Sequence, residues 1–290
     1  MIRSATQLDI PQLKKIWDRC FDDPLNYVDF LYDCVTTPQN TLVWDEEGKI
    51  LSMAMSIDCM FSYKEEQLPC VYIYGCATLP EAEGKGIMTR LISYAEQLAA
   101  QRGVQMSVLV PGERFLYGFY RKRGYNSDFP LRTVTLRPGM MGDVPQAEEP
   151  LLYDRISPEE LYAIRENALY EVPHIEWKAD QITFIMRDAL AYGEHVASYS
   201  GAAGKAYAIY GAENRSMFIK ECLGTSELAT KILLAALINE QDPRRVTLRG
   251  PVGAGVLPFE GVRQEYGMSK VFKTAKPLSD LAPFMNLMLD

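Results

Sequence analysis

One segment limits the fold of this chain more than any other: a strand that runs into a glycine-containing turn and then into an amphipathic helix. The strand is VYIYGCATLP (residues 71–80), and the turn EGKG (residues 83–86) precedes IMTRLISYAEQLAAQRG. A turn of this kind exposes the free backbone N–H groups at the start of a helix and the positive end of the helix dipole. The segment therefore predicts a site for phosphate groups that does not depend on a metal ion.

The residues of the turn limit which phosphate-containing ligands are plausible. Gly84 and Gly86 lack a Cβ atom, so backbone and ligand can approach closely, and Lys85 and Arg90 add positive charge. The nucleotide-binding pattern G-x-x-x-x-G-K-[ST] is absent. The dinucleotide pattern G-x-G-x-x-G is absent too, since Thr89 stands where its third glycine would be. ATP and NAD are therefore poor candidates for the ligand.

Composition excludes several classes of function. The chain has 290 residues, 48% of them hydrophobic and 23% charged, which is typical of a globular protein with room for two domains. A net charge of −8 argues against a broad nucleic-acid surface. The six cysteines show no metal-binding spacing, which favours a reduced, cytoplasmic protein. We also expect no secretion signal and no membrane partner, because no apolar run is long enough for either.

The order of the elements predicts two similar halves. Residues 1–137 form a β-α-α-β-β-β-α-β-α-β pattern, which indicates a mixed sheet with helices on both faces. Residues 138–150 are rich in Pro, Gly and acid and are expected to be a linker. Residues 151–290 repeat the order helix, helix, three strands, helix, strand. In this half the turn CLGTSELAT lacks the G-x-G pattern, so we expect a diverged copy without a phosphate-binding motif.

Residues 71–125 resemble the central motif of the GCN5-related N-acetyltransferase (GNAT) superfamily, a [Q/R]-x-x-G-x-[G/A] turn followed later by a Y-x-x-x-G-[F/Y] element. Here the turn is EGKGIM (residues 83–88) and the closing element is YRKRGY (residues 120–125). Within the superfamily the chain is similar to the enhanced-intracellular-survival branch, which duplicates the fold and acetylates amines. The resemblance implies an α/β protein (α+β mixed sheet) with two tandem GNAT-like domains, the second diverged.

The resemblance also implies an activity. It is acetyl-CoA-dependent transfer of an acetyl group to a primary amine, carried by a small molecule or a lysine side chain, by direct transfer and without a metal. The alternative is a non-catalytic acyl-CoA-binding or interaction module with a decayed active site. The sequence does not decide whether the chain forms a homo-oligomer.

Roles for individual residues follow from the same resemblance. Backbone groups of one strand segment would bind the pantetheine arm of acetyl-CoA, and those of the turn would bind its pyrophosphate: Cys76, Ala77, Thr78 and Leu79 for the first, and Gly84, Lys85, Gly86, Ile87 and Met88 for the second. Tyr120 would protonate the departing thiolate, a step that is only mildly uphill because the reference pKa values are about 10 and about 8.5. In the enhanced-intracellular-survival branch a terminal carboxylate reaches the active site, which implies Asp290 as the second catalytic residue.

The chief departure from the family pattern is Glu83, which stands where the pattern has Gln or Arg. Together with Glu81 it brings negative charge towards the phosphate site, at a cost of about 1 kcal/mol for each solvent-screened pair. Lys85 and Arg90 would offset part of this cost. We therefore expect a weakened site that still works.

Several nearby residues have a structural interpretation beside the functional one. Tyr120 lies among other aromatic residues and could simply be packed, in which case Tyr117 is the substitute acid. Residues 121–123 form a basic run that is expected to be a solvated helix end, although it could also meet the 3′-phosphate of CoA. His174 and His195 are expected to be structural.

Overall fold

The computed structural model describes residues 1–23, 27–136, 139–141, 143–252, 260–272 and 281–287. These residues form two compact units. The first contains residues 1–60, residues 68–126 and a C-terminal piece that begins at Met268. The second contains residues 61–67, the described residues between 127 and 267, and the tail 281–287.

The first unit follows the predicted order of elements. Its helices and strands are β1 (Ile2–Ser4), α1 (Ile10–Cys20), α2 (Tyr27–Cys34), β2 (Thr41–Glu46), β3 (Lys49–Tyr63), β4 (Glu66–Thr78), α3 (Ile87–Gln101), β5 (Met106–Leu109) and α4 (Leu116–Arg121). The strands are ordered β1-β2-β3-β4-β5 in the sheet, with β4 and β5 parallel. Helix α3 buries Leu91, Ile92, Ala95 and Ala99, whose helical spacing places them on one face.

The second unit repeats the alternation of helices with strands. Its elements are β6 (Asn126–Leu136), β7 (Leu152–Tyr153), α5 (Pro158–Leu169), β8 (His174–Glu176), α6 (Ala179–Ala191), β9 (His195–Gly201), β10 (Gly204–Glu213), β11 (Ser216–Gly224), α7 (Glu227–Gln241), β12 (Arg245–Gly250) and the first part of β13 (Val262–Val271). The sheet is ordered β6-β12-β11-β10-β9-β7. The predicted mixed α/β fold is thus confirmed. None of the helices in the described parts of the chain combines the length and apolar character needed to cross a membrane.

The compact units do not coincide with the predicted boundary at residues 137–138. Strand β6, assigned by sequence to the first half, belongs to the second unit, where Leu136 pairs with Val246 of β12. In return, Met268–Val271 of β13 belongs to the first unit and pairs antiparallel with β5. Composition and periodicity are local signals, so they cannot show that strands exchange partners across more than 100 residues. The described residues of the predicted linker 138–150 contain no helix or strand.

The N-terminus of α7 in the second unit is capped by a nearby side chain. The Ser226 hydroxyl accepts a hydrogen bond from the Ala229 N–H (3.0 Å) and donates one to the Ala203 carbonyl (2.7 Å). The Thr225 hydroxyl accepts the Lys205 N–H (3.0 Å). Such an N-cap satisfies helix N–H groups that a phosphate would otherwise bind. The cap occupies the Ala229 N–H, and the absence of a phosphate site from the second copy stays a prediction.

Candidate active site

Strands β4 and β5 of the first unit pair over only a short length. Their parallel register runs from Cys70 opposite Met106 to Tyr72 opposite Val108, and β5 ends at Leu109. Strand β4 continues to Thr78. The end of β4 therefore passes beyond β5, and no other strand among the described residues pairs with it on that side, although the Thr78 carbonyl accepts a weak hydrogen bond from the Cys20 sulfur (3.6 Å).

The backbone direction of β4 decides which residues face that opening. The Leu79 N–H donates to the Leu51 carbonyl (2.9 Å), on the side of β3, and the Ala77 carbonyl accepts the Ser52 hydroxyl (2.8 Å). Successive backbone groups of a strand alternate between its two edges, so those of Cys76 and Thr78 face the β5 side. Of the four residues predicted to bind pantetheine, the structure thus brings these two to the opening.

A kink in β4 lies just before the opening and was not indicated by the motif analysis. Gly75 has a positive φ of 56°, and a Cβ atom there would lie 2.8 Å from Cζ3 of the buried Trp17 side chain. Only glycine tolerates both the conformation and the close approach. A glycine within a strand pattern is the sequence signal for such a feature.

The glycine turn has the form that the sequence predicts. Gly84 and Gly86 both adopt left-handed backbone conformations, with φ values of 73° and 72°. A Cβ atom at either position would meet no atom within 4 Å, so the turn faces open space. Helix α3 begins at Ile87 with Gly86 as its N-cap and has no side-chain cap. In contrast to α7, its first N–H groups remain available to an anionic ligand.

Two acidic residues at the turn, Glu81 just before it and Glu83 at its start, differ in their surroundings. Glu81 forms an ion pair with Arg19 (3.1 Å), and a hydrogen bond from its own backbone together with Arg19 holds the pKa of the Glu81 carboxyl below its usual value. Arg19 thus compensates the charge of Glu81. Glu83 is exposed at the position where the family pattern has Gln or Arg.

Tyr120 on α4 lies against the open end of β4. Its side chain is buried (6% exposed), and its hydroxyl donates a hydrogen bond to the sulfur of Cys76. Its ring packs edge-on against the rings of Phe119 (5.1 Å) and Tyr125 (5.8 Å). Burial, followed by the nearby Cys76, raises the pKa of Tyr120 well above its ordinary value, so the hydroxyl keeps its proton at neutral pH. The same shift makes Tyr120 a weaker acid, so in the free protein proton transfer to a thiolate is more uphill than the reference pKa values predict. Tyr117, the predicted substitute, is half-buried and lies beneath the Arg121 guanidinium (5.8 Å).

The Cys76 side chain is a poor nucleophile. Burial raises the pKa of its thiol to about 12, and the Tyr120 hydrogen bond only partly opposes this. A thiol with this pKa is about 10⁻⁵ ionised at pH 7, whereas reactive cysteines have pKa values below about 7.5. The site therefore holds a proton donor, Tyr120, beside a neutral thiol.

The three residues of the basic run at the end of α4 differ in their exposure to solvent. Arg121 and Lys122 are exposed, as predicted. The prediction of a solvated helix end is wrong for Arg123, which is half-buried: its Nε donates to the Thr89 hydroxyl (3.0 Å), and its guanidinium carbon lies 3.2 Å from the centre of the Phe119 ring. The reason is the packing partner, since Thr89 belongs to the first turn of α3.

Three other predicted residues lie in the second unit or beyond the described chain. Asp290 is outside the described residues, and the tail is fixed within the second unit by a Phe284 N–H bond to the Pro173 carbonyl (2.7 Å). His174 is buried, with Nε2 3.0 Å from Glu166. His195 is exposed and lies 2.9 Å from Asp154.

Comparison with known proteins agrees with this fold. Residues 1–127 match the acetyltransferase (GNAT) domain family. The match covers the first 127 of the 290 residues, so a GNAT acetyltransferase domain is shown for that part of the chain, and it supports N-acyltransferase activity. Among curated proteins, it is similar to an S-alkylcysteine N-acetyltransferase from Bacillus subtilis, with 27% identity over 146 residues, covering 44% of this chain and 80% of that protein.

Solved structures extend the likeness to nearly the whole chain. A GCN5-related N-acetyltransferase from Anabaena variabilis is 17% identical, with a TM-score of 0.76 over 94% of this chain and 73% of its own. Eis1 from Mycobacterium abscessus is 16% identical, with a TM-score of 0.72 over 93% and 73%. At this level of identity the likeness concerns the fold alone, which extends over 93% of this chain in the comparison with Eis1.

Proposed function

We propose that the protein is an acetyl-CoA-dependent N-acetyltransferase that acetylates a primary amine. The observation that carries the proposal is the position of the buried Tyr120 hydroxyl at the open end of β4, the strand that leads into the uncapped start of α3. A phosphate-binding turn and a protonated acid beside one strand are the two parts that acyl transfer from CoA requires.

The turn and the strand suit the shape of CoA. Free N–H groups from Gly84 to Met88 would bind the pyrophosphate, and the outward-facing backbone groups of Cys76 and Thr78 would bind the amides of the pantetheine arm. An extended ligand on a strand edge is held mainly by main-chain hydrogen bonds. Acetyl-CoA supplies an acetyl group already activated as a thioester.

Tyr120 would act at the departing sulfur. A cationic primary amine must first lose a proton, for which we propose the Asp290 carboxylate implied by the resemblance. The lone pair of the neutral nitrogen then attacks the thioester carbonyl, the C–N bond forms and the C–S bond breaks. The Tyr120 hydroxyl donates its proton to the thiolate as negative charge develops there, and it regains a proton released by the nitrogen through solvent. A buried donor aimed at developing charge is worth more than the same group in water.

Direct transfer is favoured over a covalent enzyme intermediate because the Cys76 thiol is kept neutral. For Cys76→Ala we expect kcat to fall by less than about tenfold, since only a hydrogen-bond partner of Tyr120 is lost, whereas loss of a true nucleophile removes nearly all activity. Steady-state thiol release measures this, and intact-protein mass spectrometry after mixing with acetyl-CoA detects any adduct. An acetyl group on wild-type Cys76 together with an inactive variant would contradict direct transfer.

Glu83 sets the strength of the phosphate site in this proposal. For Glu83→Gln we expect the Kd for CoA to fall about fivefold at low salt, because removal of one screened repulsion of about 1 kcal/mol has that effect. The gain should shrink as salt rises. Calorimetry measures both, with Glu66→Gln at the far end of β4 as the control that removes an equally exposed charge. Unchanged or weaker binding by the Glu83→Gln variant would show that Glu83 does not oppose the ligand.

The acceptor is proposed only as a class. A net charge of −8 favours the approach of cationic amines, and the curated relative is named for an S-alkylated cysteine, whose α-amine is also primary. We therefore propose a panel of S-alkylcysteines, a lysine peptide and a polyamine, assayed for thiol release and acetylated product. Binding of acetyl-CoA without release on any amine would favour the non-catalytic module. Failure to bind either acetyl-CoA or CoA would exclude both functions.

A further inference from the structure

Arg123 contacts both helices that form the proposed site. Its Nε donates to the Thr89 hydroxyl (3.0 Å) in the first turn of α3, and its guanidinium carbon lies 3.2 Å from the centre of the Phe119 ring on α4. Its backbone N–H is bonded to the Tyr120 carbonyl (2.8 Å). One side chain therefore connects the turn that would bind phosphate to the helix that carries the proposed acid.

The charge of Arg123 is not balanced by a carboxylate within the described part of the chain. The hydrogen-bond partners of its guanidinium there are neutral, the Thr89 hydroxyl and the Phe119 carbonyl. Burial lowers the pKa of its guanidinium, and the group that most opposes this is the Tyr120 hydroxyl. A half-buried cation with neutral partners is costly in the free protein and is suited to receive an anion.

The location of the Arg123 charge matters because the chain departs from the family pattern at position 83. The family pattern has Gln or Arg there, and this chain has the exposed acid Glu83. Arg123 approaches the same helix start from α4, three residues after Tyr120. The positive charge that the turn itself lacks is thus available from the neighbouring helix.

We propose that Arg123 is a positioning residue, which fixes the helix of Tyr120 to the first turn of α3 and supplies there the positive charge that Glu83 does not provide for the phosphates of CoA. The proposal rests on the proposed function and adds a residue to it. It makes two separable claims: the fork of Arg123 orients Tyr120, and the charge of Arg123 supports CoA binding.

Three variants separate these claims. For Arg123→Gln we expect kcat to fall about 10- to 30-fold and the KM for acetyl-CoA to rise about fivefold, since orientation and charge are both lost. Arg123→Lys should restore KM to within about twofold but leave kcat at least about fivefold low, because an ammonium cannot reproduce the planar fork. Thr89→Val should lower kcat in the same way as Arg123→Lys. The control is Arg102→Gln at the far end of α3, which removes an exposed charge that pairs with Asp58 (3.0 Å) and should change neither constant by more than about twofold.

A second readout does not depend on activity. In Arg123→Gln and Thr89→Val, the amides of residues 120–125 should exchange hydrogen at least about fivefold faster than in the wild type, while Arg102→Gln leaves them unchanged. If the wild type releases no thiol with any amine, the proposed function fails, and the exchange rates still decide whether Arg123 fixes α4. Unchanged exchange in both variants, or kcat and KM within about twofold of the wild type for Arg123→Gln, would overturn the proposal.

Discussion

Replacement of Tyr120 by Phe is expected to lower kcat by about 10²- to 10³-fold, since a positioned general acid contributes about 10²- to 10⁴-fold. The change removes only the hydroxyl that donates to Cys76. The ring contacts with Phe119 and Tyr125 remain, so the fold of α4 should be kept. Because the hydroxyl acts on charge that develops at the sulfur during the reaction, the Kd for CoA should change by less than about threefold. Steady-state thiol release and calorimetry measure the two quantities.

Tyr117→Phe is the matched control, because Tyr117 lies one turn earlier on the same helix and also loses only a hydroxyl. We expect its kcat to stay within about threefold of the wild type. A severe loss in Tyr117→Phe with an active Tyr120→Phe would show that the acid has been misassigned. The raised pKa of Tyr120 adds a check on pH dependence: its neutral form persists above about pH 10, so its ionisation should cause no fall in kcat below that pH.

In the second unit, replacement of Arg165 by Met is expected to lower the free energy of unfolding by about 3–5 kcal/mol, the usual effect of removing one partner of a buried ion pair. Arg165 and Glu221 have fully buried side chains, with Nε 3.1 Å from Oε1. The Glu221 carboxylate also accepts hydrogen bonds from the Tyr207 hydroxyl (2.5 Å) and the Asn286 side chain (3.2 Å). The variant would leave the Glu221 charge buried without its cation.

The loss of unfolding free energy is measured by urea unfolding, with hydrogen exchange of amides in the second unit as the probe. The control is Arg215→Met, which breaks an exposed ion pair with Asp242 and should cost no more than about 1 kcal/mol. A variant with both Arg165→Met and Glu221→Leu should recover part of the stability, because no charge is then left unpaired. A loss below about 1 kcal/mol in Arg165→Met alone would mean that the Arg165–Glu221 pair does not hold this core together.

The sequence predicted those features that depend on local pattern. The element order of the first half follows from runs of apolar residues at strand and helix spacing, and the glycine turn lies directly before α3 where the motif predicts it. The presence of Tyr120 at β4 follows from the spacing of the family motif. In each case a few neighbouring residues determine the structure, so the pattern is sufficient.

Other features depend on partners that are distant in the chain. Strand β6 belongs to the second unit because it pairs with β12 at Val246, and the end of β13 belongs to the first unit because it pairs with β5. The contact between Arg123 and Thr89 likewise joins residues 34 positions apart. The basic run alone indicates a solvated helix end, because nothing local shows that one of its members packs on α3. The role of Asp290 remains a prediction, since it lies outside the described residues.

The most direct test of the account is steady-state thiol release from acetyl-CoA, measured with and without each amine of the panel and matched to acetylated product. We predict that one class of primary amine gives many turnovers, with one thiol released for each amide formed, and that release without amine is negligible. Tight binding of acetyl-CoA with no amine-dependent release would contradict the central claim that the open end of β4, the glycine turn and Tyr120 form a working acetyltransferase site.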